Sequence, residues 1–245
     1  MNATLTIYVI TCLVIGLGPA VCARHLFESP WRLFAFGAAA LVVSSVIGGF
    51  LGGSVSAIIV LPLGGSAAPP TLGFYVLLAV SVAVFEEAGR LLSIRWLLDR
   101  TSPRFTLPDS LMFGAGFGGA EVIFRACQAA APFVLAAVSS TATIRPFELS
   151  AIGEAPFFPI TLAAIGVFHI TMSIIAAHML KTSRLSPSLI FALLAAYHGT
   201  ANASSMVFIG VMFQPAAATL MWLLIATANS VLAIRFLRQT SSNPR

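Results

Sequence analysis

Apolar positions run along this chain in long blocks, and polar residues are confined to short gaps between them. Seven blocks stand out, at about residues 3–23, 33–61, 72–97, 108–137, 157–180, 187–212 and 214–238. A helix needs ~20 mainly apolar residues to cross the hydrocarbon of a bilayer. The pattern therefore predicts an all-α fold, a polytopic membrane bundle of about seven transmembrane helices forming a single integral domain over 1–245. The second block is long enough to tilt, or to break near Gly48, Gly49, Gly52 and Gly53. An eighth crossing made by such a break would spoil the charge pattern between the blocks.

Composition sharpens this picture. The 245 residues are 58% apolar and only 9% charged, with a mean hydropathy of +0.98. A soluble domain carries about 25% charged residues. A water-soluble globule is excluded, and so are a disordered tail and a nucleic-acid module, despite the net charge of +5 and the pI of 9.7. The 13 Lys and Arg residues form no basic stripe. Instead, Arg24, Arg32, Arg95, Arg100, Arg104, Lys181, Arg184, Arg235, Arg238 and Arg245 fall at alternate connections, and the opposite ones hold only Arg145. By the positive-inside bias, the N-terminus is expected outside and the C-terminus in the cytoplasm. The first basic residue follows the first apolar block, which is the wrong order for a cleavable signal peptide. The Ser/Thr-rich connection at about 138–156, with Glu148 and Glu154, is expected outside.

Cys12, Cys22 and Cys127 all lie within apolar stretches and match no metal or redox spacing. Cys12 and Cys22 share one block, about 15 Å apart on a helix and too far to bridge. All three are read as core thiols.

The remaining chemistry lies at mid-membrane. Glu86, Glu87 and Arg90 fall near the middle of the third block, and Glu121 and Arg125 near the middle of the fourth. His169 is central in the fifth, and His198 with Asn202 in the sixth. At ~3 kcal/mol per ionised group, the five charges cost roughly 15 kcal/mol before pairing. They must face the bundle interior, a water-filled cavity, or each other. Glu86 with Arg90, and Glu121 with Arg125, have the i,i+4 spacing of a neutralising pair. A histidine or asparagine in a membrane helix commonly just bonds a neighbouring helix. Three glutamates facing two arginines nevertheless leave one carboxylate without a cation, which is the condition for general acid/base work. The two histidines suit stabilisation of an oxyanion or binding of a metal. His25 and His178, near helix ends, are read as headgroup or loop contacts.

The segments Phe85-Glu86-Glu87-Ala88-Gly89-Arg90, Gly114-Ala115-Gly116-Phe117-Gly118-Gly119-Ala120-Glu121, Phe168-His169 and His198-Gly199-Thr200-Ala201-Asn202 occur in that order on four successive blocks. This series resembles the YhfC family of bacterial intramembrane peptidases. That family is similar to a superfamily of CAAX-processing and bacteriocin-processing (CPBP) proteases, PrsW-type membrane proteases and the gamma-secretase scaffold subunit. The resemblance covers about 72–238 and is weakest over the first two blocks. It implies that Glu86 activates water with Glu87 and Arg90 beside it. It also implies that Glu121 belongs to a Phe-x-x-x-Glu motif, and that His169, His198 and Asn202 complete the catalytic set. Two departures stand out. Phe117 replaces a histidine found in many YhfC-like sequences, and Arg90 lies one residue closer to the glutamates than in the CAAX-type branch.

The resulting expectation is an intramembrane endopeptidase of the bacterial plasma membrane, cleaving a membrane-embedded or membrane-adjacent peptide. In it Glu86 is the base, His169 and His198 steady the oxyanion, Asn202 orients His198, and Glu121 shares the water or anchors Arg90. The glycines of 114–119 are read as small-residue packing in preference to a substrate path. No cofactor is expected; in a metal-dependent variant, with zinc for example, Glu121, His169 and His198 are the ligands. The alternatives are a non-catalytic scaffold that binds partner transmembrane helices, and a proton-coupled transporter. No nucleic-acid partner is expected.

Overall fold

The computed structural model describes residues 3–64, 72–101, 105–138, 157–210 and 214–241, and every element among them is helical. In chain order these are α1 (Ala3–Phe27), α2 (Trp31–Gly64), α3 (Leu72–Thr101), α4 (Leu107–Val138), α5 (Phe157–Thr182), α6 (Pro187–Gly210) and α7 (Pro215–Ser241). Five of them are long and apolar enough to cross a membrane, over Ile10–Phe27, Trp31–Val55, Leu72–Arg100, Pro159–Thr182 and Ala216–Arg238. Residues 139–156 of the expected connection, with Arg145, Glu148 and Glu154, lie outside the described residues, as do Arg104 and Arg245.

Local chemistry sets the helix ends. Glu28 takes a left-handed φ of 56° and donates its amide to Arg24 O, closing α1. Thr106 and Asp109 form a reciprocal cap at the start of α4: the Thr106 amide and hydroxyl donate to Asp109 Oδ2, and the Asp109 amide donates to Thr106 Oγ1. At α6, Ser186 Oγ accepts from the Leu189 amide and Pro187 opens the first turn. The helices run past the apolar blocks, so Arg24, Arg100, Lys181 and Arg238 ride in last turns instead of connections. There a cation suits the negative end of the helix dipole.

α2 is one unbroken helix of 34 residues across Gly48, Gly49, Gly52 and Gly53. At ~1.5 Å per residue it is about 51 Å long, beyond the ~30 Å hydrocarbon, which fits a tilted span. Two of the glycines serve packing: a Cβ on Gly52 would meet Ser81 Cβ at 2.6 Å, and one on Gly48 would meet Phe85 Cβ at 2.9 Å. They bring α2 against α3.

α4 and α5 occupy the middle. α4 packs on α1, α2 and α5; α5 packs on α4 and α7; α3 packs on α2 and α6. In the span of α5, 72% of the residues are buried, against 22–33% in the other four. The glycines of α4 explain how three helices reach it. A Cβ on Gly116 would sit 2.0 Å from Phe34 O of α2, one on Gly119 2.2 Å from Gly16 O of α1, and one on Gly118 2.7 Å from Gly166 O of α5. Large apolar side chains point outward from the bundle, among them Val14, Phe50, Leu92 and Leu224, as a lipid-facing surface requires. Cys12 is buried, but Cys22 and Cys127 are exposed on this outer face, so only one of the three expected core thiols is in the core. A thiol behaves as a small apolar group and tolerates such a position.

Candidate active site

Four helices deliver ionisable side chains to one interior region. α3 brings Glu86, Glu87 and Arg90; α4 brings Glu121; α5 brings His169; α6 brings His198. All six are buried. Adjacent residues on a helix project ~100° apart, and this decides how the two glutamates of α3 are used. Glu87 faces Arg90, with Arg90 Nη1 donating to Glu87 Oε1. Glu86 faces the other way, accepting from Ser45 Oγ of α2 at 2.8 Å and lying 3.7 Å from His198 Nε2. The pairing inferred from i,i+4 spacing, Glu86 with Arg90, is thus replaced by an i,i+3 pair of Glu87 with Arg90. Glu86 is the carboxylate with no arginine beside it.

The second expected pair forms as spaced. Arg125 grips Glu121 Oε1 through Nε at 2.8 Å and Nη2 at 2.5 Å, and Glu121 Oε2 contacts His169 Nε2. Glu121 therefore anchors Arg125 and His169, not Arg90. On its other side His169 Nδ1 meets Arg90 Nη2 at 2.5 Å. Arginine only donates, so Nδ1 is the acceptor, and Nε2 carries the hydrogen directed at Glu121.

His198 is held differently. Its Nδ1 pairs with Glu87 Oε1 at 2.8 Å, which turns Nε2 toward Glu86. A carboxylate behind one ring nitrogen fixes the tautomer and leaves the other nitrogen's lone pair available. Asn202, expected to do this orienting, instead reaches Ala79 O at 3.5 Å and is half-buried.

Aromatic rings form the walls. Phe168 stacks edge-on against His169, His198 and Trp222, with centroids 5.2, 4.9 and 5.2 Å away. Phe117, in the position where a histidine was expected by resemblance, lies 5.4 Å from the His169 ring, and the Arg90 guanidinium sits 4.5 Å over its face. It supplies a cation–π platform where a histidine would supply a ligand. Neither this role nor that of Ser45 was anticipated from sequence. The only trace of the latter is a Ser-Ser pair in the middle of an apolar block. His178 stacks on Phe236 at 3.9 Å, and His25 is exposed, so both are away from the site.

Glu86, His169 and His198 each present a donor atom, all within 4.8 Å of one another. Two histidines and a glutamate make a recognised donor set for catalytic zinc. Glu86, and not the Glu121 expected from sequence, lies with the two histidines in this group; Glu121 is engaged by Arg125 and His169. With all of them ionised, the three glutamates and two arginines would leave one negative charge in excess, which would favour a cation. The chemistry of the set fits a divalent metal, with His169 Nδ1 held by Arg90 as the one contested position.

Fold and site together define a polytopic helical membrane protein with a buried glutamate–histidine centre. Residues 10–151, more than half the chain, match the YhfC intramembrane metalloprotease family, and the chain belongs to that family. The match takes in α1 and α2 as well as the Glu86 and Glu121 motifs, and ends before the two histidine helices. No curated protein and no solved structure matches the chain. Family membership supports a membrane protease that is an integral membrane protein, with a metal in its chemistry.

Proposed function

We propose that this protein is an intramembrane endopeptidase of the bacterial plasma membrane that hydrolyses a peptide bond in a membrane-embedded or membrane-adjacent substrate. The carrying observation is Glu86: a buried carboxylate with no arginine partner, 3.7 Å from His198 Nε2. Ser45 occupies Oε1 as a donor, which leaves Oε2 to receive a proton from water. Glu87 holds His198 so that Nε2 faces the same space. Glu121 and Arg90 hold His169 from its two sides. The phenylalanine rings of Phe117 and Phe168 exclude bulk water and so strengthen every charge interaction at the centre.

Alternatively, Glu86, His169 and His198 would hold a divalent ion, with Glu86 serving as ligand in place of base. Such an ion supplies Lewis-acid polarisation of the carbonyl and lowers the pKa of bound water. Whether the water is activated by the carboxylate alone or with the ion, Glu86 is indispensable.

The test is cleavage of a transmembrane-peptide library by purified protein, with Glu86→Gln and a chelator-treated sample alongside. Gln keeps the shape of the neutral acid, adds no charge and strands no arginine. Loss of cleavage with an unchanged melting temperature is the expected result, and chelation should lower the rate. Full activity in Glu86→Gln overturns the reading in favour of a different centre. Absence of cleavage by wild type across the library favours a scaffold whose polar cluster holds partner helices.

A further inference from the structure

The Arg90–Glu87 pair is incomplete. Only Nη1 and Oε1 engage; Arg90 Nε and Glu87 Oε2, both buried, have no hydrogen-bond partner among the described residues. The unused donor and the unused acceptor belong to side chains already in contact and three residues apart on α3. Arginine and carboxylate favour a two-pronged pairing with parallel hydrogen bonds. Here that pairing is forgone, and Nη2 is spent on His169 Nδ1 at 2.5 Å. Rotation of the Arg90 side chain onto both oxygens of Glu87 would satisfy Nε and Oε2 together and free His169 Nδ1.

We propose that Arg90 and a divalent metal are competing partners of His169, so that Arg90 gates the metal site through its alternative pairing with Glu87. The inference rests on the metal site of the proposed function. A metal needs a nitrogen lone pair. At His169 the Nδ1 lone pair is taken by Arg90, and Nε2 carries the hydrogen facing Glu121. Glu86 and the Nε2 of His198 carry no such obstruction. Metal therefore enters with displacement of the guanidinium, and Glu87 is placed to receive it. Phe117 holds the guanidinium in the blocking position through its ring face, so the residue at 117 sets how strongly the gate is closed.

The test is titration of the purified full-length chain in micelles with Co²⁺, whose visible absorption reports coordination without any need for turnover. Arg90→Lys retains a positive charge for Glu87 but is a shorter, point-like donor that cannot serve both partners. It should bind Co²⁺ about tenfold more tightly than wild type, and His169→Ala placed on top should abolish the gain. Phe117→Leu leaves every charge in place, loosens the guanidinium and should tighten binding about threefold. It decides the matter if Arg90→Lys fails to fold. Unchanged or weaker Co²⁺ binding in the folded variants overturns the gate, and so does the absence of stoichiometric Co²⁺ binding by any of the proteins. Absence of Co²⁺ binding with Glu86→Gln still inactive leaves a metal-free glutamate protease, and unchanged binding with Glu86→Gln still inactive leaves an ungated metal site. Co²⁺ binding as expected with Glu86→Gln fully active leaves the gate and removes the proposed reaction.

Discussion

Two adjacent carboxylates with opposite consequences dominate at the scale of single residues. Glu87 neutralises Arg90 and steadies His198, while Glu86 answers only to a serine and the far side of the same histidine. Glu87→Gln strands a buried guanidinium, and breaking a buried ion pair from one side costs about 3–5 kcal/mol. We expect a clear loss of thermal stability in Glu87→Gln and little in Glu86→Gln, measured on the same micelle preparation. Equal stability of the two would show that Arg90 finds a substitute for Glu87. Ser45→Ala removes a hydrogen bond to a carboxylate, a contribution of roughly 1.5 kcal/mol or more. It should lower kcat/KM about tenfold or more if that bond aims Oε2 at the reacting water. An unchanged kcat/KM would assign Ser45 to packing alone.

At the scale of helices, α4 is the element against which the others are measured. Its glycines are contact points and not a passage for substrate, since each is filled from the opposite side by backbone of α1, α2 or α5. Gly116→Ala drives a methyl group to 2.0 Å from Phe34 O. Overpacking of this kind costs about 1–3 kcal/mol, and the backbone at the contact has no rotamer with which to give way. Gly118→Ala should act differently, because its methyl group also lies 3.1 Å from His169 Cβ. A shift of α5 there displaces a site residue, so activity should fall further than stability, in a comparison of cleavage rate with melting temperature. Gly49→Ala is the control: nothing lies within 4 Å of its Cβ. Alanine is the better helix former by up to ~1 kcal/mol, so that variant should be neutral or slightly more stable. A destabilised Gly49→Ala would mean that this face of α2 is covered in the membrane.

For the whole molecule, large apolar side chains face outward as well as filling the core, and the charged residues of the site lie within that core. That arrangement requires a bilayer around it. From the bias of basic residues we expect the C-terminus on the cytoplasmic side of that bilayer. Single cysteines introduced at Ser66 and Thr141 should react with an impermeant thiol reagent from outside, and one at Thr182 only after the membrane is opened. The native cysteines must be removed first, since Cys22 and Cys127 are exposed. Labelling of Ser66 or Thr141 on the same side as Thr182 would reverse or break the topology.

Much of this was written in the order of residues. Block length and hydropathy alone specify helices, because a backbone in lipid must satisfy its own hydrogen bonds. The seven apolar blocks coincide with α1 to α7 to within a few residues at each end. The cost of burying charge likewise marks Glu86, Glu87, Arg90, Glu121, His169 and His198 as interior groups before any fold is known. What spacing could not decide is which partner each group takes. On a helix both i,i+3 and i,i+4 neighbours are within reach, so Arg90 had two carboxylates to choose between. The choice was made by neighbours distant in sequence: Ser45 of α2 draws Glu86 away, and His198 of α6 shares Glu87 with the arginine. The part played by Phe117 has the same origin, since an aromatic ring becomes a cation platform only when another helix brings a guanidinium over its face. Length and hydropathy act through the solvent and are local properties of the chain, whereas ion pairing at the centre depends on contacts between helices, which exist only once the bundle has packed.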